Sequence, residues 1–187
     1  GAAGEDRVLI SGGYNASGFP TSLEWYHVGA GNFTTLSVAM ANVRALHTAV
    51  LLPNGKVLLA GGQTSSSLPY GTAAAELYDV ATNTIGPTGS LNESRGGQTA
   101  TLVNGRVIVC GGVSLSGFSI LTRSSVETYD PATGLFTTLL TPMAATRALH
   151  TATLLGSGKI LITGGAYASG FSDVYRDTVE LVSPPAP

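Results

Sequence analysis

Arg106-Val107-Ile108-Val109-Cys110-Gly111-Gly112 is an apolar run closed by a double glycine, and the chain contains four versions of it. Arg7 to Gly13 reads RVLISGG, Lys56 to Gly62 reads KVLLAGG, and Lys159 to Gly165 reads KILITGG. The second glycines are 49, 50 and 53 residues apart, which is the signature of an internal repeat. Positions outside the run keep the same register. Arg44, Arg95 and Arg147 open RALHTAVLL, RGGQTATLV and RALHTATLL, while Glu24, Glu76, Glu127 and Glu180 recur in SLEWY, AAELY, SVETY and TVELV. Tyr26, Tyr78, Tyr129 and then Val182 stand two residues after each Glu. Phe33, Ile85 and Phe136 stand seven residues after the three tyrosines.

Each unit reads as four short strands. The first is small and β-branched (HTAVLL, HTATLL) and turns through PNGK, VNGR or GSGK into the second. Asn-Gly between apolar runs signals a hairpin, because both central residues of the tight turn take positive φ. The second strand is continuously apolar, as expected where both faces are covered. The double glycine lets the chain leave the sheet at backbone angles that only glycine adopts freely. The third strand alternates and turns through DVATN or DPATG into the fourth. No apolar stripe of helical period persists, so essentially no helix is expected. Units at 1–40, 41–91, 92–143 and 144–187 contribute three, four, four and three strands, fourteen in all. Leu9, Val57, Leu59, Val107, Val109, Ile160 and Ile162 are the expected core.

These residues closely resemble the Kelch repeat: four hydrophobic residues, a double glycine, then a tyrosine and a second aromatic at fixed separation. The resemblance covers nearly the whole chain, with Ile85 and Val182 departing from the usual aromatics. It implies an all-β propeller with about four blades here, two complete and two partial, in a segment of a larger or multi-chain propeller. The long gap before the double glycine is closer to bacterial or extracellular Kelch repeats than to cytoplasmic ubiquitin-ligase adaptors. Strands Arg7 to Ser11 and Thr178 to Ser183 are the edges at which missing strands or other chains are expected to pack.

Composition narrows the function classes. Charged residues make up 11% of the chain and the net charge is −2, with no basic cluster, so a nucleic-acid partner is not expected. No apolar run approaches a membrane span. A single cysteine, Cys110, excludes an internal disulfide framework and is read as a buried small hydrophobe. Sequons at Asn15, Asn32 and Asn92 point to an extracellular or cell-surface setting. Motifs for nucleophilic, nucleotide-dependent or zinc-dependent catalysis are absent, and no metal or other cofactor is called for.

What remains is recognition. The resemblance puts the loops after the second strands on the face where the chain enters the innermost strands. Ser-Gly-Phe recurs in three of those loops, and Tyr14, Phe19, Tyr70, Phe118, Tyr167 and Phe171 are the candidate contacts for a protein or carbohydrate partner. Arg44, Arg95 and Arg147 form either an anion site at the channel mouth or internal pairs with the recurring glutamates. His47 and His150 share one repeat position with Gln98, which favours a structural role over a metal. A galactose-oxidase-like copper propeller segment and a repeat that assembles into a larger particle or filament are the alternatives to a non-catalytic binding module.

Overall fold

The structure, a computed structural model, describes residues 6–65, 71–117, 119–169 and 172–185. Every regular element among them is a β-strand. The first blade is β1 (Arg7–Ser11), β2 (Ser22–His27) and β3 (Asn32–Ala39) in that order. The second is β4 (Thr48–Leu51), β5 (Lys56–Ala60), β6 (Ala75–Asp79) and β7 (Thr84–Pro87). In the third, β8 (Thr99–Val103), β9 (Arg106–Cys110), β12 (Val126–Asp130) and β13 (Leu135–Thr138) are interrupted by a hairpin of β10 (Val113–Ser116) and β11 (Ser119–Thr122). The fourth holds β14 (Thr151–Leu154), β15 (Ile160–Thr163) and β18 (Val179–Val182), with a hairpin of β16 (Ala166–Ser169) and β17 (Ser172–Tyr175). All pairings are antiparallel between consecutive strands of a blade, and β4, β8 and β14 lie beside one another.

This is the expected all-β propeller segment, with eighteen strands rather than fourteen. The additional four are the two hairpins, which occupy stretches expected to be loops. Val113 pairs with Thr122 and Leu115 with Ile120, so the small-polar and apolar alternation of VSLS and SILT makes a ladder around the glycine turn. Ala166 pairs with Tyr175 and Tyr167 with Val174 in the same way.

The second strands carry the packing, and their alternation sorts residues between neighbouring blades. Val57 and Leu59 face the first blade with Leu23, Met40 and Tyr78, whereas Leu58 and Ala60 face the third with Val107, Val109, Tyr129 and Phe136. Ile108 and Cys110 then turn to the fourth blade, against Ile160, Ile162 and Val182. Three inter-blade cores therefore join four sheets. That explains why β5 and β9 are apolar and buried at every position after the first. Of the expected core residues six are buried, and Leu9 is half-buried against the first of these cores.

Turn chemistry follows loop length. Between β8 and β9 two residues intervene, and Asn104 and Gly105 have φ of 51° and 78°. Between β4 and β5 four residues intervene, Leu52 to Gly55, and only Gly55 (φ 79°) adopts a positive angle there. Tyr26 faces Phe33 and Tyr129 faces Phe136 across their strands, with ring centroids 4.9 and 4.8 Å apart. Opposite Ile85, Tyr78 instead approaches Trp25 of the first blade at 6.1 Å.

Candidate recognition face

The three recurrent arginines are internal. Arg44, Arg95 and Arg147 are 0%, 0% and 1% exposed. Arg44 Nη2 donates to Glu76 Oε2 at 2.6 Å, Arg95 Nη2 to Glu127 Oε1 at 2.7 Å, and Arg147 Nη2 to Glu180 Oε1 at 2.8 Å. Each Nη1 donates to the carbonyl of the first glycine in its own blade's pair, Gly61, Gly111 or Gly164. The same glutamates accept from backbone N–H groups of the incoming connection, at Ala41, Asn92 and Ala144. A guanidinium with no exposed surface offers nothing to an external anion, so the anion-site expectation for these arginines is corrected. They fasten each connection to its blade, and burial makes the partner obligatory. In the third blade Glu93 extends the pair: it accepts from Arg95 at 3.0 Å, from Arg123 at 2.7 Å, and from the Ser125 hydroxyl.

The double glycine joins blades, which the sequence did not disclose. Gly13, Gly62 and Gly112 donate their N–H to the carbonyls of Arg44, Arg95 and Arg147 in the next blade at 2.9, 2.8 and 2.9 Å. The glycine before each is crowded by that same carbonyl, so a Cβ there has no room. His47 Nε2 meets Ser11 Oγ at 2.7 Å, Gln98 Nε2 donates to the Ala60 carbonyl at 2.9 Å, and His150 Nε2 meets Thr99 Oγ1 at 2.9 Å. The shared position is a clasp to the preceding blade. Burial first, and then the neighbouring Arg44 or Arg147, lowers the pKa of both histidines to about 4, so they are neutral at pH 7. Cys110 is 1% exposed and burial pushes its thiol up to about 12, the behaviour of an inert core thiol. No three His, Cys, Asp or Glu side chains gather as a metal would require among the described residues.

The candidate face lies next to these clasps. Ala45 bridges Gln63, Gly96 bridges Val113 and Ala148 bridges Ala166, so each entrance to an innermost strand lies against the start of the loop or hairpin that follows the second strand. The residues that come next, Leu46, Gly97 and Leu149, are linked across blades: Gly97 N–H donates to the Leu46 carbonyl and Leu149 N–H to the Gly97 carbonyl, both at 2.8 Å. Leu46 and Leu149 have φ of 53° and 55°, a costly angle for a branched side chain, yet they are 52% and 64% exposed. Sequence reading missed both. Only their register with Gly97, a residue suited to positive φ, could have flagged them.

Of the expected aromatic contacts, Tyr14, Phe19 and Tyr167 lie among the described residues. Tyr14 is exposed on the first loop with its ring 5.1 Å from Phe19, above a turn in which Asn15 Oδ1 accepts from Ser17 N–H. Tyr167 is half-buried under the Arg176 guanidinium, 4.2 Å from the ring centroid. Tyr70, Phe118 and Phe171 lie outside the described residues. All three sequon asparagines are exposed, but only the Asn92 amide is held by the neighbouring strands, donating to Glu127 Oε2 at 3.0 Å and to the Phe136 carbonyl at 3.3 Å.

No family model matches the chain. Kelch-like protein 38 of Danio rerio is 27% identical over 138 residues, which cover 73% of this chain and 22% of that protein. The solved structure of YjhT matches with a TM-score of 0.71 at 16% identity, covering 96% of this chain and 63% of that one. The fold is thus that of a Kelch-type β-propeller segment. The two likenesses together support the Kelch-repeat family.

Proposed function

We propose that this chain is a non-catalytic binding module of the bacterial or extracellular Kelch type, whose loop face recognises a protein partner. The observation that carries the reading is the pair Leu46 and Leu149, each held at positive φ and each more than half exposed, beside two hairpins on the same face. Strain and apolar exposure both cost stability, and their coincidence at one surface is the mark of a contact site. The internal Arg–Glu pairs and the inter-blade clasps give that surface a rigid base. Tyr14 and Tyr167 extend it. A photo-crosslinking residue placed at Tyr14, Leu46 or Tyr175 should capture one partner from an extract of the source organism. The same residue at Asn54 or Asn104, in the turns at the far ends of the strands, should capture none. Equal capture from both ends, or none from the loop face, would refute the reading.

A further inference from the structure

We propose that the cleft between the two long hairpins is a socket for one large apolar side chain of an extended peptide that carries a lysine or arginine close by. The inference rests on the loop-face reading and narrows it to one place and one class of partner. The hairpins are held side by side by the Ala168 N–H, which donates to Thr122 Oγ1 at 2.9 Å. Between them is a cavity of about 130 Å³, floored by Ala148, Ala166 and Ala168 and walled by Ile120, Leu149 and Tyr175. Small-molecule sites occupy roughly 300–1,000 Å³. This one has room for an anchoring side chain, the usual centre of a protein-recognition site. Its rim is already set, because the Leu149 backbone is fixed at φ 55° by its bridge to Gly97 while the side chain stays 64% exposed.

Charge selects the neighbour of that anchor. Asp173 lines the cleft and is exposed, and its carboxylate has no ion pair or hydrogen bond among the described residues. The nearby cations are committed. Arg176 lies over Tyr167 and donates its Nε to the Thr146 carbonyl at 2.6 Å, and Arg123 is bound to Glu93 and to the Ser114 hydroxyl. An arriving ammonium or guanidinium therefore meets an unpaired carboxylate, which repels an arriving anion. The guanidinium covers the Tyr167 ring, but Tyr175 on the wall is 84% exposed, so neutral oligosaccharides are the competing ligand in the test.

The test uses the full 187-residue chain and a positional-scanning library of fluorescein-labelled octapeptides read by anisotropy, beside an array of neutral oligosaccharides. Peptides with Leu, Met or Phe within a few residues of Lys or Arg should be selected. Leu149→Gly should lower their affinity by about tenfold or more. That variant retains the fold, because glycine already holds the same backbone angle at Gly97, and its thermal midpoint should be unchanged or raised. Asp173→Lys should turn the selection toward acidic peptides. Selection without a basic residue, equal affinity in both variants, or preferential binding of a neutral sugar overturns the proposal, as does failure of every peptide to bind. If peptides bind but lose affinity in Tyr14→Ser and not in Leu149→Gly, the loop-face reading stands and the cleft assignment falls. If the cross-linking also fails, both fall.

Discussion

A methyl group added at Gly111 would collide with the carbonyl oxygen of Arg147, on the next blade, while the backbone there has a φ of 62°. Gly86, in β7, has nothing near the same added atom. Gly111→Ala should therefore destabilise the protein by on the order of 3 kcal/mol, from backbone strain together with overpacking. Gly86→Ala should be neutral or slightly stabilising, and urea denaturation of the pair distinguishes a blade-to-blade contact from a general dislike of lost glycine. The histidine clasps predict a pH dependence. An unfolded histidine titrates near 6.5, whereas His47 and His150 titrate at about 4 in the fold. Between those values the unfolded chain binds more protons. The contribution is thus complete above pH 6.5, falls as the pH drops through the window, and levels off below about 4. Each group can contribute up to about 3 kcal/mol to that fall. The double variant His47→Gln, His150→Gln should lose this part of the slope, because Gln98 performs the clasp without titrating. An unchanged slope in urea midpoints between pH 7 and pH 4 would remove the histidines from the account. At the sequons, secretory expression should place a glycan on Asn15 and Asn32 and leave Asn92 bare, since only the last is engaged by Glu127. Peptide mapping by mass spectrometry reads the outcome.

At the scale of strands, β9 shows why a continuous apolar run was the decisive signal. Val107 and Val109 enter one inter-blade core, Ile108 and Cys110 the next. Val109→Asp would put an unpaired carboxylate in a dry space at 0% exposure, and a loss of several kcal/mol with unfolding of the third blade is expected by circular dichroism and denaturation. A variant as stable as the parent would show that this face of β9 is not packed. The fourteen blade strands were legible because each has copies in register, and Tyr26–Phe33 and Tyr129–Phe136 are direct cross-strand pairs at the spacing read from the sequence. The hairpins were not legible, since the first unit carries the same Ser-Gly-Phe at Ser17 to Phe19 yet forms only an isolated bridge between Asn15 and Gly18, so the motif alone does not mark a strand pair. The Arg–Glu pairing was half legible. Recurrence named the residues, but an arginine is long enough to reach either its own blade or a neighbour, and only the fold decides. Leu46 and Leu149 were hidden because sequence carries no direct mark of a strained backbone.

At the scale of the molecule, the middle blades and the outer blades differ in what covers them. Strands β5 and β9 are buried on both faces, whereas Val8 and Ile10 of β1 are 52% and 39% exposed, and Leu154, Val179 and Leu181 of the fourth blade are 44%, 59% and 53% exposed. Among the described residues, β1 has a strand on one side only. The crevice beside it, of about 420 Å³, is lined by Leu9, Trp25, Ala49, Leu51 and Val57, with Arg7 over the indole at 4.7 Å. In the second and third blades the corresponding place is filled by β4 and β8, whose small residues pair with the second strand. An open strand edge next to uncovered apolar surface is a site at which another polypeptide gains both ladder hydrogen bonds and burial. The isolated chain of 18.9 kDa should therefore associate as its concentration rises, and sedimentation velocity should show a mass above that value. Val8→Lys with Leu181→Lys should return it to a monomer without loss of the β spectrum, since both side chains are exposed and neither belongs to an inter-blade core. A parent chain that stays monomeric across a hundredfold range of concentration, about 2.7 kcal/mol in chemical potential, would show that these surfaces are tolerated by solvent and are not seats for other blades or chains.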